Sequence, residues 1–418
     1  MTIVDMYFVG HFGEEIFAGV ALGGTVAWVF STLPNGIIKT VKPFVSAIYG
    51  NPNIPQDEKW IKTIAYTSAS ACFAGIVGIA YVGVIYLVAP KIAAHCDTAS
   101  AATAAVTYMT IRSWGYPIMF IQNSFREYQY GIGNTRVNMI GTLVGNIVNM
   151  TLNYVSQKHT TLGLHGILYA TLIGVLVQAT IIIGYQKIYH RIFGKFTIKE
   201  LKEFLRVGTP QGVQFFLECF AYIVIGLWLS SFSSKEMGAH HIVDRVVLFS
   251  FLIVKSIGEG SAVLVGRTVG KNVLTDVQDI SRNTMSIIFF YTAGCAIVFV
   301  LFAQNIAGLF TESTQTILLV QHLFVYAALF QTFDGAMVVG SCVLRGATDT
   351  KFVAKTGIIT TWCISIPFVW FFGFFLTQGA QGVWIGLTVG TICKAMFYWH
   401  RIITNTWQHT ARKTIAAL

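Results

Sequence analysis

The chain has 418 residues, of which 54% are hydrophobic and 11% charged, with a mean hydropathy of +0.64. A soluble domain carries about 25% charged residues, so this composition excludes a fold with an ordinary water-facing shell and leaves an integral membrane protein. The net charge of +10 comes without a separate Lys/Arg cluster interleaved with aromatics, so it is referred to the positive-inside rule and not to a nucleic-acid partner.

Met1 to Gly10 is an apolar fragment that carries Asp5, lacks the basic start of a signal peptide and is too short to span. Eleven fuller apolar runs follow, near 16–49, 60–89, 101–125, 134–156, 163–189, 207–231, 236–269, 283–309, 315–343, 350–376 and 380–403. Most are long enough to cross a hydrocarbon core of roughly 30 Å as a helix. The first is interrupted by Pro34 and Gly36 and contains Lys39 and Lys42. It is either a long kinked helix reaching beyond the bilayer or one whose lysines face an aqueous cavity. The seven cysteines show no CxxC or Cys/His spacing and are expected to be small core residues.

The one substantial polar linker is 191–206, RIFGKFTIKELKEFLR. Thr197 and Glu200 fit a capping box, and Ile198, Leu201 and Leu205 then share a helical face. These features predict an amphipathic helix on the membrane surface, the alternative being an extension of the next spanning helix. The expected domains are an N-terminal bundle over 1–190, this cytoplasmic linker over 191–206 and a C-terminal bundle over 207–418.

The halves repeat. At an offset of 220, Phe12, Val26, Ile37, Val45 and Gly50 fall on Phe232, Val246, Ile257, Val265 and Gly270. At 215, GNTR (Gly133 to Arg136) falls on TDTK (Thr348 to Lys351), and at 216 GLHGILYATLIG (Gly163 to Gly174) falls on GAQGVWIGLTVG (Gly379 to Gly390). Three near-equal offsets in order predict an all-α polytopic protein of two homologous six-helix bundles in parallel repeat, with a site between them. Lys and Arg number 19 near the loops after even-numbered helices and at the C-terminus, against three on the other side, Lys91, Lys158 and Lys235. This bias assigns the linker and the C-terminus to the cytoplasm.

An ionised side chain in mid-bilayer costs roughly 2.5–3.5 kcal/mol even on the lenient insertion scale, so each one calls for a reason. Glu218 shares a helical face with Gln211, Gln214 and Tyr222, a polar stripe directed to the bundle interior. Asp334 has Gln331 three residues before it and Ser341 seven after. Asp5 is the third acid, and Asn146, Asn149 and Asn153 form an amide face able to hydrogen-bond an acid or ligate a cation through carbonyl oxygens. A buried acid can equally be a neutral group that ties helices together. Lys255 with Glu259, His240 with Asp244 and His241 with Arg245 are i, i+4 pairs expected to be internal, and Arg112 has no evident partner.

No GxxxxGK[ST], GxSxG or HExxH is present, so neither ATP hydrolysis nor another familiar reaction is indicated and the protein is not read as an enzyme. Transport then runs on an ion gradient. A cavity carboxylate that takes H⁺ or Na⁺ in one conformation and an organic cation in the other makes the exchange obligatory.

Segments spanning the chain resemble the multidrug and toxic compound extrusion (MATE) family: VDMYFVGHFG (Val4 to Gly13), GNIVNMTLNYV (Gly145 to Val155), GLHGILYAT (Gly163 to Thr171), GTPQGVQFFLE (Gly208 to Glu218), GEGSAVLVGRTVG (Gly258 to Gly270), VLRGATDT (Val343 to Thr350) and QGAQGVWIG (Gln378 to Gly386). The resemblance implies two six-helix bundles around a central cavity and cation-coupled export of amphipathic, often cationic compounds. It implies that Asp5, with Asn149 and Asn153, is a protonation site of the N-terminal bundle, and that Glu218 and Asp334 bind the coupling cation, Na⁺ included, in the C-terminal bundle. No cofactor other than the coupling H⁺ or Na⁺ is implied. The expected partners are a small-molecule substrate and the lipid bilayer, the expected state a monomer in the plasma (inner) membrane.

Three departures qualify this. Lys39 and Lys42 stand where the family usually has small or apolar residues. Asp244, Arg245, Lys255 and Glu259 make the eighth helix unusually charged, which keeps open export of a lipid-linked or anionic metabolite. Most of the first helix is also missing, so Met1 is expected to be an internal methionine of a frame that begins some way upstream, an inactive truncated transporter being the alternative.

Overall fold

The computed structural model of the chain describes residues 2–189 and 193–417. Met1, expected to be internal, and Arg191, counted among the cytoplasmic basic residues, lie outside them. The described residues contain helices and no strand. In chain order these are α1 (Thr2–Val9) with a 3-10 turn (Gly10–Phe12), α2 (Glu14–Ile38), α3 (Val41–Gly50), α4 (Gln56–Ala93), α5 (Ala99–Ser113), α6 (Gly115–Gly131), α7 (Arg136–His159) and α8 (Leu164–Tyr189). There follow α9 (Ile198–Leu229), α10 (Ser234–Gly270), α11 (Asp276–Leu301), α12 (Ala303–Gly308), α13 (Thr314–Gly346), α14 (Thr350–Thr360), α15 (Ile366–Trp370), α16 (Gly379–Ile403) and α17 (Gln408–Ala417). Two π-helical segments, Thr361–Ser365 and Phe371–Phe375, flank α15. Side-chain caps begin helices where the sequence offers them, with Thr98, Ser233 and Ser313 each accepting from a first-turn amide.

Among the described residues eight helical stretches are long and apolar enough to cross a membrane: Glu14–Gly50, Gln56–Ala93, Leu164–Ile188, Ile198–Leu229, Ser234–Gly270, Asp276–Leu301, Thr314–Gly346 and Thr350–Phe375. The pair α5 and α6, together with α7 and α16, fall outside that set. α7 shows why: Asn138, Asn149, Asn153 and Ser156 are buried polar groups on its inner face and lower its average hydropathy.

The run 16–49 resolves into two helices. α2 ends at Ile38 and α3 begins at Val41, so the chain turns at Lys39 and Thr40 and not at Pro34, which sits inside α2. The Thr40 hydroxyl donates to the Ile37 carbonyl at 2.6 Å, satisfying one of the acceptors that the helix end leaves open. Lys42 is buried. The surface helix expected over 191–206 is not a separate element, because from Ile198 it is the first part of α9 and continues unbroken to Leu229. Its start does have the capping chemistry. The Thr197 amide donates to the Glu200 carboxylate at 2.7 Å, and the Lys199 amide donates to the Thr197 hydroxyl at 3.2 Å. No break follows because Gly208 and Gly212 bring α9 onto α2. A Cβ at Gly212 would lie 2.5 Å from the Leu33 carbonyl oxygen, a contact only glycine permits.

The contacts divide the chain into two units, one of 1–45 and 54–212, the other of 46–53 and 213–418. The boundary thus falls within α3 and again within α9. In the first unit α2 packs on α5, α4 on α5 and α6, and α7 on α8, while α1 lies against α7 and α8. Its core gathers Ile38, Ile85, Met109, Phe120 and Ile167, all essentially inaccessible. Buried polar pairs, Ser70 with Ser124 at 2.8 Å and Gln129 with Gln186 at 2.6 Å, tie its helices together. In the second unit α13 is central and takes α10, α11 and α16 around it.

The internal repeat is visible in the backbone. Gly133 and Thr348, 215 residues apart, both have left-handed φ, 84° and 62°, and Gly163 and Gly379, 216 apart, have 54° and 56°. The Asn134 amide donates to the Gln129 carbonyl at 2.8 Å, and the corresponding Asp349 amide donates to Leu344 at 2.9 Å. The side chains of these two residues also reach corresponding positions. Asn134 donates to the Tyr185 hydroxyl at 3.2 Å, and Asp349 accepts from Arg401 at 2.9 Å.

Candidate functional site

In the first unit α1 brings Asp5 between α7 and α8. Its Oδ1 accepts from Asn149 Nδ2 at 3.0 Å and from Asn153 Nδ2 at 2.9 Å, and its Oδ2 accepts from the Thr171 hydroxyl at 2.9 Å. Asn149 Nδ2 is also 3.3 Å from Thr171 Oγ1, which closes the group. Asp5 is 5% exposed and its three partners are wholly inaccessible. The arrangement follows from the sequence, since Asn149 and Asn153 are one helical turn apart and face the same neighbour. The carbonyl oxygens of both asparagines are buried and accept no hydrogen bond from the described residues. Asn146, two turns before Asn153, turns its amide to the Thr142 carbonyl at 2.7 Å. Thr171 is a member that sequence reasoning passed over, because hydroxyls in apolar helices commonly bond their own backbone, as this one does at Ile167. Arg112, without an evident partner in the sequence, lies among Tyr108 and Tyr116, one turn to either side, and within electrostatic reach of Asp5.

In the second unit Glu218 of α9 meets α16. Its Oε1 accepts from Lys394 Nζ at 2.9 Å and from Gln214 Nε2 at 3.2 Å. Gln214 in turn accepts from Arg345 Nη2 at 3.3 Å, and the Arg345 guanidinium stacks over Phe215 at 4.8 Å. α14 comes close because Gly357 has no side chain, and a Cβ there would lie 2.4 Å from Gln214 Nε2 and 2.9 Å from Glu218 Oε1. Asp334 is buried on α13, within electrostatic reach of both Glu218 and Lys394.

The polar stripe of α9 is graded. Gln211 and Gln214 are buried, Glu218 is half-buried, and Tyr222 is 60% exposed, within electrostatic reach of Glu218 and Asp334. Gln331 is wholly buried and neither its oxygen nor its nitrogen is hydrogen-bonded within the described residues. Ser341 donates to its own helix, at Val338. The expected His240–Asp244 pair does not form. The His240 ring packs 5.9 Å from Trp384 with Nδ1 unbonded, while the charges nearest Asp244 are Arg245 and His241. Lys255 stands 6.0 Å from the Phe251 ring. Lys394 is the member of this group that the sequence reading missed. The signal was present, since a lysine well inside the run 380–403 requires a buried counter-charge.

The MatE family model matches residues 1–155 and 210–371. A protein described as probable multidrug resistance protein NorM from Bacillus licheniformis is 26% identical over 98% of this chain and 93% of its own length. Its namesake from Bacillus subtilis is 27% identical over 96% and 90%. Among solved structures, that of the eukaryotic MATE transporter AtDTX14 superposes with a TM-score of 0.87 over 100% of this chain and 94% of its own, at 17% identity, a likeness of fold alone.

Proposed function

The chain belongs to the MatE family, and on that premise we propose that it is a multidrug efflux transporter, a secondary-active antiporter that exports amphipathic cationic compounds in exchange for H⁺ or Na⁺ by alternating access. The observation that carries this reading is the Asp5 group, an acid held by three donors from two helices with two buried amide oxygens left unbonded beside it. Unbonded carbonyl oxygens beside a carboxylate are ligands for a small cation. Asp5 is thus the coupling acid of its unit, with Asn149, Asn153 and Thr171 as its support. Glu218 and Asp334 are the acids of the other. An ion can drive the cycle only through different affinities for the two conformations. Ordering of α1 against α7 and α8 around a loaded Asp5 supplies such a difference.

The basic bias of the loops supports a cytoplasmic C-terminus and a cytoplasmic start of α9 in the plasma (inner) membrane of the cell. The partners are a small molecule and the bilayer, and a monomer suffices because each unit carries its own acid. A second reading, export of an anionic or lipid-linked metabolite, has one observation in its favour, the Lys394 and Arg345 cations beside Glu218. Proteoliposomes under imposed pH or Na⁺ gradients separate the two. Gradient-driven movement of a cationic dye that is lost in Asp5→Asn is the expected result. Movement of anionic dyes alone selects the second reading, and no gradient-driven movement of either removes both.

A further inference from the structure

The acids of the second unit already have their cations. Lys394 lies within electrostatic reach of both Glu218 and Asp334, Arg345 within reach of Glu218, and the Lys394 ammonium sits directly on Glu218 Oε1. We propose that Lys394 is a tethered cation that occupies the carboxylate site of this unit in place of Na⁺, so that Glu218 exchanges an organic ammonium against lysine and not against a free metal ion. The proposal deepens the transport reading above and rests on it for its role in the cycle, though not for its binding chemistry.

Three features support it. First, the ammonium and the Gln214 amide converge on one oxygen, where an inorganic cation would have to bind. The Lys394 ammonium already neutralises that carboxylate, and a second cation beside it in a low-dielectric environment would be repelled, so Na⁺ must first displace Lys394. Second, a side chain on α16 is present at a fixed high local concentration, an advantage that free Na⁺ has to overcome. Third, the pair is not sealed. The Lys394 and Glu218 side chains keep 13% and 23% of their exposure, so an incoming ammonium can reach the carboxylate and push the lysine aside. The lysine also selects, because a substrate must compete with an ammonium for one oxygen and therefore needs a positive charge of its own.

Purified protein in the Asp5→Asn background, which removes the other acid, tests this without transport. Stabilisation against thermal unfolding is measured in NaCl against KCl at matched ionic strength. The Asp5→Asn protein should show no Na⁺-specific shift. Adding Lys394→Gln or Lys394→Met should create one, with at least ten-fold tighter Na⁺ binding, and adding Glu218→Gln should abolish it again, whereas Lys394→Arg should leave Na⁺ without effect. A Na⁺-specific shift of equal size with Lys394 present, or none after its removal, overturns the proposal. Should the uncharged variants Lys394→Gln and Lys394→Met fail to fold, ¹³C-dimethylated wild-type protein gives the answer by NMR. The Lys394 resonance, assigned by its loss in Lys394→Arg, should move with tetraphenylphosphonium and not with NaCl over KCl, and movement with NaCl overturns the proposal. If the Na⁺ results hold while no dye moves in vesicles, the transport reading falls and the assignment of Lys394 stands.

Discussion

At Asp5 every donor is a side chain from another helix, so the acid both needs and records the placement of α7 and α8. A hydrogen bond to a charged group contributes about 1.5–3 kcal/mol, and about 1.4 kcal/mol is tenfold in an equilibrium. Thr171→Val, which keeps the shape and removes the hydroxyl, should therefore lower gradient-driven dye efflux roughly ten-fold in everted vesicles at equal protein level. Thr171→Ser should restore most of it, and equal efflux in valine and serine variants would detach the hydroxyl from function. Gly357 gives a second test in the other unit. A methyl there collides with the flexible ends of Gln214 and Glu218 and not with backbone, so Gly357→Ala should push the Gln214 amide and the Glu218 carboxylate apart while gaining about 0.5–1 kcal/mol of helix propensity. Thermal stability should hold or rise while efflux falls several-fold, and unchanged efflux would show that the Gln214 bond is dispensable. The asparagine pair was legible in the sequence because a turn of helix puts 149 and 153 on one face. The partner of Glu218 was not, because periodicity locates a charge on its own helix and is silent about which other helix, 176 residues on, carries the counter-charge.

Among the elements, α9 decides most, since it begins on a capping box, crosses the unit boundary and presents Glu218. Its course depends on close approach to α2 at Gly36, Gly208 and Gly212. A side chain at Gly212 meets the backbone oxygen of Leu33, which cannot turn away, and the Ile37 side chain with it. Overpacking of this kind costs about 1–3 kcal/mol, so Gly212→Val should lower the midpoint of thermal unfolding in detergent by several degrees. Gly226, on the same helix, is the control, because a methyl group added there would meet nothing within 4 Å, and Gly226→Ala should leave the midpoint unchanged or raised. Equal effects at the two positions would mean that propensity and not contact sets the response. The sequence located both ends of this helix but not its continuity. A polar amphipathic start followed by an apolar run has the same pattern whether the chain bends at Arg206 or continues. The approach to α2 that makes it continue is a tertiary contact between residues far apart in the chain. The breaks at Lys39 and Trp114 escaped for the same reason, since apolar runs on either side of a turn read as one.

For the whole molecule the repeat is the most informative property, because it links loops that share no sequence beyond a few residues. Thr135 and Lys351 follow corresponding left-handed turns, and Thr161 and Thr377 precede the paired glycines 163 and 379. All four are exposed. If six spans separate each pair, the two members of a pair must emerge on the same side of the membrane, and the basic bias assigns the side. Single cysteines at these positions, in a background with the seven native cysteines replaced, make the expectation measurable. An impermeant maleimide added to intact spheroplasts should label Thr161→Cys and Thr377→Cys, and leave Thr135→Cys and Lys351→Cys unlabelled until the membrane is opened. Splitting of either pair would mean an odd number of crossings between its members and would break the parallel repeat, whatever the likeness of the turns. Reversal of both pairs together would keep the repeat and overturn the orientation. The two outcomes separate because the turns are fixed by backbone conformation, whereas the side is fixed by where Lys and Arg accumulate.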